Sequence, residues 1–257
     1  MTKAISHEVR KAERQKPEKL TSVWNGKANT KNISSSKTVY IIHGWTYTVE
    51  PWAKTINILK ENGVKVKMLN VPGLTAPSKR VWTIQEYANW ADEAIPDGSI
   101  ALGHSNGGRI LLNLCSENPD KLKKLILLDS AGVYEPSKKR TIKKIIAKLG
   151  TPLKKIPFVD KVFHKLTGSM DYYHAPENMK KTLANMLDSD KDLVLAKVTT
   201  PTAILWGEDD DVTPPRQAHV LKRKLADSTL SMHKGWTHAP YISDPSGLAK
   251  AILKELK

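Results

Sequence analysis

The sequence predicts an α/β protein in which helices flank a mostly parallel central sheet. Segments of strand character alternate with segments of helix character along most of the chain. Several strand segments are continuous apolar, β-branched runs, which is typical of parallel strands that are covered on both faces. The chain has 257 residues, a length that proteins of this class often fill with a single domain.

The first predicted helix lies between two strands. Thr38–Ile42 has the sequence TVYII, which predicts a strand without a solvent-facing side. Residues 52–59 repeat apolar side chains at helical spacing, and Gly63 ends that helix. Residues 64–71 form the second predicted strand.

The middle of the chain continues the alternation. Residues 83–95 form a helix whose start is marked by Glu86 in the position of a capping box. Residues 99–102 are the third strand, and residues 106–118 are the next helix. Residues 124–128 form a strongly apolar fourth strand.

The last part of the chain repeats the pattern. Residues 202–206 and 229–233 are predicted strands, and residues 215–225 and 245–256 are predicted helices. Strands that are separated by helices pair in parallel through helical crossovers.

The alternation stops over residues 134–197, where helical patches such as 141–149 and 177–187 are separated by prolines. We predict that residues 134–197 form a helical cap and that residues 1–133 and 198–257 form the core. One face of the first patch is apolar and the other carries lysines. Such a helix either lies on a membrane or covers apolar surface of its own protein, and we favour the second. The apolar residues, which would then line the substrate pocket, are Ile142, Ile145, Ile146 and Leu149.

The N-terminal segment 1–36 is basic, and only residues 20–24 resemble a strand there. We expect this segment to be abbreviated or partly disordered. It lacks the apolar centre of a signal peptide, and no later stretch is apolar for long enough to span a bilayer. The sequence therefore predicts a soluble, cytoplasmic protein without stable membrane association.

The chain carries a formal net charge of +15, which can indicate a nucleic-acid partner, an anionic membrane or an acidic substrate. The lysines are spread along the whole chain, without a zinc-finger spacing or an RNA-binding aromatic signature. We therefore predict no nucleic-acid partner. Cys115 lies among apolar residues and is expected to be a small buried side chain.

The strongest local signal is Gly103-His104-Ser105-Asn106-Gly107-Gly108, between an apolar strand and a helix. Small residues beside a serine permit a sharp strand-to-helix turn that presents the serine oxygen at the carboxyl edge of the sheet. A glycine-rich turn with a capping serine is the alternative, and the strand before it and the helix after it favour the nucleophile.

Three further segments support this interpretation, and with them the chain from about Lys37 resembles the α/β-hydrolase fold family. His43-Gly44-Trp45 resembles the family's oxyanion loop, the segment 205–214 (LWGEDDDVTP) its acid loop, and Gly235-Trp236-Thr237-His238 its histidine loop. The order serine, acid, histidine is the chain order of that fold.

The resemblance implies a role for each residue. Ser105 is the nucleophile, His238 transfers the proton, and Asp210 orients the histidine, since the family pattern places its acid three residues after the glycine. Any of the neighbouring acids Glu208, Asp209 and Asp211 could instead point inward. The same pattern gives the backbone N–H groups of Trp45 and Asn106 as the oxyanion hole, and the indole of Trp45 would line the acyl pocket.

We predict a serine esterase that cleaves small or medium carboxylic esters through an acyl-enzyme, as a monomer or homodimer, without a metal or an organic cofactor. A serine in the elbow argues against dehalogenases and epoxide hydrolases, which use aspartate there. Lactone, thioester or carbon–carbon bond hydrolysis remains open with the same residues. A small-molecule receptor of this fold and a basic surface-binding protein are alternatives of other classes.

Overall fold

Six parallel strands form the centre of the computed structural model, which describes residues 37–134 and 175–257. The sheet has the order β2-β1-β3-β4-β5-β6, and every neighbouring pair is parallel. The strands are β1 (Thr38–Ile42), β2 (Lys65–Met68), β3 (Ser99–His104), β4 (Leu122–Leu128), β5 (Thr202–Gly207) and β6 (Ser228–His233). This sheet, flanked by helices, confirms the predicted fold class.

Helices connect the strands in the described parts of the chain. They are α1 (Ala53–Glu61), α2 (Ile84–Ala94), α3 (Asn106–Glu117), α4 (Glu177–Ser189), α5 (Arg216–Lys224), α6 (Pro240–Ser243) and α7 (Pro245–Glu255), with short 3-10 helices at Glu50–Trp52 and Leu195–Lys197. The predicted capping box starts α2: Glu86 N donates to Thr83 Oγ1 over 3.2 Å, and Thr83 N donates to Glu86 Oε2 over 2.8 Å.

Both faces of the sheet are apolar, as the continuous strand runs predict. In β1, Val39 and Ile41 pack with α1 and α7, whereas Tyr40 and Ile42 belong to the core on the other face, with α2 and α3. Side chains alternate between the faces because a strand has a period of two residues. Each fully buried leucine or isoleucine stabilises the fold by about 1.5–3 kcal/mol.

The strand order brings distant segments to one edge. The chain runs from β1 outward to β2, and then returns to place β3 on the other side of β1. Such a reversal leaves a crevice at the carboxyl ends of the two inner strands. His43 follows β1, Ser105 follows β3, and the acid and histidine loops follow β5 and β6. All four predicted loops therefore meet at this edge.

Part of the predicted cap region is described. Residues 177–189 of that region are helical, whereas the patch 141–149, like the N-terminal residues 20–24, lies outside the described residues. Cys115 is buried in α3, as predicted, and burial raises the pKa of its thiol to about 11. Within residues 37–134 and 175–257, no helix is long and apolar enough to cross a membrane.

Candidate active site

Ser105 occupies the sharp turn between β3 and α3. Its backbone has φ 51° and ψ −116°, in a region that residues other than glycine rarely adopt. Four backbone bonds hold this conformation: Ser105 N donates to Leu128 O over 3.0 Å, and Ser105 O accepts from Gly108 N over 3.0 Å, from Arg109 N over 3.3 Å and from Ala131 N over 2.9 Å. Strain that the surroundings maintain in this way is common at functional sites.

Two glycines make the turn possible by leaving room for backbone. A Cβ atom at Gly103 would lie 2.6 Å from Gly108 Cα, and one at Gly107 would overlap the carbonyl of Ile42. Neither position has space for a larger residue. The sequence pattern of small residues around Ser105 therefore has a direct steric cause.

The loop after β1 reaches the serine. A Cβ atom at Gly44 would lie 2.9 Å from His104 Nδ1 and 3.1 Å from Ser105 Cβ, so the backbone before Trp45 passes directly beside the elbow. Trp45 and Asn106, the predicted oxyanion residues, are each 5% exposed. Their position beside Ser105 is compatible with that role, which stays a prediction.

His238 lies between the serine and an acid. Its Nε2 is 2.9 Å from Ser105 Oγ, and its Nδ1 is 2.8 Å from Asp210 Oδ2. A second histidine holds the same loop, because His104 Nε2 donates to the carbonyl of His238 over 2.7 Å. Burial, followed by the charge of His238, lowers the pKa of His104 to about 3, so His104 is a neutral donor.

Asp210 is buried, whereas its neighbours Glu208, Asp209 and Asp211 are exposed. Oδ1 of Asp210 accepts the backbone N–H groups of Val212 over 2.8 Å and Thr213 over 2.9 Å. Oδ2 accepts from Thr213 Oγ1 over 2.6 Å and from His238. Burial favours the protonated acid, but the bonds from His238 and Thr213 outweigh it and hold the pKa of Asp210 below its usual value.

This arrangement of side chains has the chemistry needed for a serine to attack a carbonyl group. A serine hydroxyl that donates to a neutral imidazole can lose its proton as the oxygen attacks a carbonyl. A carboxylate on the other ring nitrogen fixes the tautomer and stabilises the imidazolium. The structure brings Ser105, His238 and Asp210 together in this order.

A second buried acid, Asp129, adjoins Asp210 and was not singled out from the sequence. It directly follows β4 and is 0% exposed. Burial raises the pKa of Asp129 well above its usual value, and the neighbouring Asp210 charge raises it further. An acid at the end of an apolar strand, in the segment LILLD, is the signal that marks this position.

A buried ion pair on the helix that follows Ser105 was also not predicted from the sequence. Arg109, on α3, donates to Asp190 through Nε over 2.7 Å and through Nη2 over 3.0 Å. Arg109 Nη1 donates to Asn106 Oδ1, while Asn106 Nδ2 donates to Met186 Sδ over 3.1 Å. Both ends of the Asn106 side chain are therefore held.

One side of α4 binds the backbone of the loop before α2. Asn178 Nδ2 donates to two carbonyl groups within residues 78–80, over 3.2 and 3.1 Å. Thr182 Oγ1 accepts from Trp82 N over 2.9 Å, and Asn185 Nδ2 donates to Trp82 O over 3.2 Å. Because these three side chains follow helical spacing, they fix α4 to the core.

The remaining predicted residues are placed less directly. The pocket residues Ile142, Ile145, Ile146 and Leu149 lie outside the described residues. His43 makes structural bonds, as expected, to Gly44 O and Thr75 Oγ1, each over 2.8 Å. Among residues 37–134 and 175–257, no group of three or more histidine, cysteine or acidic side chains is placed to hold a metal ion.

Comparison with known proteins agrees with the fold. A pimeloyl-[acyl-carrier protein] methyl ester esterase of Neisseria meningitidis serogroup B is 26% identical over an alignment that covers 83% of this chain and 90% of that protein. An esterase from Exiguobacterium antarcticum has a TM-score of 0.66 at 20% identity, covering 87% of this chain and 93% of its own.

A further solved structure and a family model lead to the same assignment. An α/β hydrolase enzyme from the metagenome of sediments of the Mar Chica lagoon, Morocco, has a TM-score of 0.63 at 24% identity and covers 86% of this chain and 90% of its own. The family model described as alpha/beta hydrolase fold matches residues 37–245. The chain therefore belongs to the α/β hydrolase fold family, as its loops predict.

Proposed function

We propose that this protein is a carboxylic ester hydrolase that uses Ser105, His238 and Asp210 as a catalytic triad. The observation that carries the proposal is the continuous chain of hydrogen bonds from Ser105 Oγ through both nitrogens of His238 to Asp210 Oδ2, with distances of 2.9 and 2.8 Å. The Neisseria meningitidis relative and others like it are methyl ester esterases, which supports this reaction class.

The proposed reaction has two halves. Ser105 Oγ attacks the ester carbonyl while His238 takes its proton, and the backbone N–H groups of Trp45 and Asn106 stabilise the negative oxygen that forms. His238 then gives the proton to the departing alcohol, leaving an acyl-enzyme. Water, activated by His238, attacks the acyl group and releases the acid. Asp210 stays ionised throughout and stabilises the imidazolium.

For the substrate we propose esters of small or medium acyl chains. Support comes from Trp45, which follows the glycine whose backbone passes beside the elbow, and from α4, the described helix of the proposed cap 134–197, which is fixed to the core. The relatives' names make a methyl ester the first choice of alcohol. Within this proposal, the acyl chain is contacted by Ile142, Ile145, Ile146 and Leu149 of the cap, and the protein acts as a monomer or homodimer, without nucleic acid or stable membrane association.

The test is a panel of substrates with a matched inactive variant. Methyl and chromogenic esters of increasing acyl length are hydrolysed by the wild type and by Ser105→Ala, with a lactone, a vinylogous diketone and an emulsified long-chain triglyceride alongside. We expect a maximum at short or medium esters and a loss of up to about 10⁶-fold in Ser105→Ala. Normal turnover in Ser105→Ala would refute the triad, and activation at the oil surface would refute the acyl preference.

A further inference from the structure

Asp129 is a buried acid that the proposed reaction does not use. It follows Leu128, the last residue of β4, with φ 44° and no exposed surface. Its Oδ1 accepts the N–H of Gly207 over 2.8 Å, and its carbonyl oxygen lies 3.0 Å from Thr213 Oγ1, whose single hydrogen it shares with Asp210 Oδ2. These bonds tie the end of β4 to the start of the acid loop.

The other carboxyl oxygen of Asp129 has no hydrogen-bond donor. Oδ2 is buried, and within the described residues no N–H or O–H group donates to it. The carboxyl group of Asp210 is its neighbour, because Thr213 Oγ1 lies within hydrogen-bond distance of both Asp129 O and Asp210 Oδ2, but an ionised Asp210 is itself an acceptor. An unpartnered buried acceptor is unfavourable, and two adjoining buried negative charges would be more so.

The surroundings offer no cation to balance two charges. No ion pair joins Asp129 to a lysine or arginine in the parts of the chain that the structure describes. The titratable groups that face it are Asp210, which is bonded to His238, and Tyr241. The pKa of Tyr241 is raised to about 12 by burial and by its proximity to Asp129. One imidazole cannot neutralise two carboxylates.

A proton on Asp129 removes both difficulties. We propose that Asp129 is a neutral carboxylic acid in the working protein and donates its proton in a hydrogen bond to the Asp210 carboxylate, as a positioning residue for the triad. Its Oδ2 then has a partner, and the pair carries a single charge, on the residue that faces His238. Burial and the Asp210 charge both act on the pKa of Asp129 in this direction.

The inference rests on the proposed function only for its effect on rate. The bond from Asp129 restrains the Asp210 carboxylate without removing its charge. A carboxylate that is held in this way keeps His238 in the tautomer and orientation that serve Ser105.

The first test observes the proton directly. Infrared spectra at pH 7 are compared for the wild type, Asp129→Asn, and Asp209→Asn as the control at an exposed acid. Asparagine matches aspartate in shape and tolerates a positive φ. We expect a protonated-carboxyl band in the wild type that is lost in Asp129→Asn and kept in Asp209→Asn. Identical spectra for the wild type and Asp129→Asn would overturn the proposal, whatever the protein hydrolyses.

The second test uses stability against pH. Asp129 ionises above about pH 4 in the unfolded chain, but stays protonated in the folded one. The wild type therefore loses stability as pH rises above that value, and Asp129→Asn lacks this loss. We measure the unfolding midpoint temperature of both proteins at each pH. We expect the midpoint of Asp129→Asn minus that of the wild type to increase steadily from pH 4 to pH 8. A difference that stays constant or decreases would show an ionised Asp129.

The third test separates positioning from a merely structural role. Asp129→Ala removes the donor, so kcat should fall by at least about tenfold, the equivalent of one charge-assisted hydrogen bond, with KM little changed. Asp129→Asn, whose amide can also donate, should recover most of that loss. Equal losses in folded Asp129→Ala and Asp129→Asn would contradict the donor role. If the wild type hydrolyses no ester, the proposed function fails, while the infrared and stability results still decide the state of Asp129.

Discussion

At the scale of single residues, Asp210 and its neighbours show that burial distinguishes acidic side chains that are adjacent in the sequence. The chain has four consecutive acids at 208–211, and spacing within a resembled pattern favours Asp210. The structure gives a physical difference, since Asp210 is buried and accepts hydrogen bonds at both carboxyl oxygens, while the other three acids are exposed.

This difference predicts unequal effects of matched substitutions. In Asp210→Asn, the amide cannot stabilise the imidazolium of His238 and favours the wrong tautomer, so we expect kcat to fall by about 10⁴-fold. In Asp209→Asn, an exposed charge is lost, and the activity should stay within about twofold. Steady-state kinetics of both purified variants measures this. A more damaged Asp209→Asn would mean that the acid loop has another register.

The lowered pKa of His104 predicts that the folded protein loses stability at acidic pH. The unfolded chain takes a proton on this histidine below its ordinary pKa of 6.5, but the folded chain does so only near pH 3. The unfolded state therefore binds more protons in that window, and stability falls as the pH falls, by up to about 1.4 kcal/mol per pH unit.

Denaturant unfolding between pH 3 and pH 7 tests this slope. His104→Gln keeps a donor for the carbonyl of His238 but removes the titration, so its stability should depend less steeply on pH. The control is His219→Gln, at an exposed histidine, which should keep the wild-type slope. Equal slopes in the wild type and His104→Gln would contradict this explanation of the loss of stability at acidic pH.

Some of these residues are easier to identify from the sequence than others, and the reason is physical. Ser105 and His238 lie in local patterns whose shape depends on nearby glycines, so their positions follow from the sequence itself. Asp129 and Arg109 acquire their roles from partners that lie about 80 residues away in the chain, at Asp210 and Asp190. No local spacing records such contacts, although an acid that ends an apolar strand indicates the edge at which Asp129 lies.

At the scale of elements, the inner strands β1, β3, β4 and β5 are predictable because they are buried on both faces, but the ends of a strand depend on its neighbours. β3 was predicted to stop at Leu102 and extends to His104, since Gly103 and His104 pair with the last two residues of β4. β2 is shorter than predicted, at Lys65–Met68, because as an edge strand it pairs only with β1.

The contact between α3 and α4 leads to a prediction about the stability of the fold. Arg109 and Asp190 form a pair whose side chains are 5% and 12% exposed. Asp190→Asn leaves Arg109 charged and buried without its counter-ion, so the free energy of unfolding should fall by about 3–5 kcal/mol. The matched control is Asp188→Asn, which breaks an exposed pair with Lys191 and should cost at most about 1 kcal/mol.

Denaturant unfolding of the two variants measures this difference. The double variant Arg109→Met, Asp190→Leu should recover part of the loss, because it buries no uncompensated charge. Equal costs for Asp190→Asn and Asp188→Asn would show that the pair does not hold α4 to the helix behind Ser105.

At the scale of the whole molecule, topology and charge act together. The parallel order of the strands collects the serine, acid and histidine loops at one edge, which the alternation of strands and helices predicts. The net charge of +15 indicates no fold, but it gives the molecule as a whole a positive field. Such a field raises the rate at which anions arrive, and salt weakens it.

The last prediction therefore concerns anionic esters and rests on the proposed ester hydrolysis. Two methyl esters of equal length are compared, one neutral and one carrying a free carboxylate at its far end. As ionic strength rises from about 0.01 to 0.15 M, the screening length falls from about 30 to 8 Å. We expect kcat/KM to fall by about twofold to tenfold for the anionic ester, chiefly because the field no longer concentrates it near the site. The neutral ester controls for any effect of salt on folding or on the triad, and its kcat/KM should stay nearly constant. Parallel responses of the two esters would show that the net positive charge of the chain does not act on its substrate.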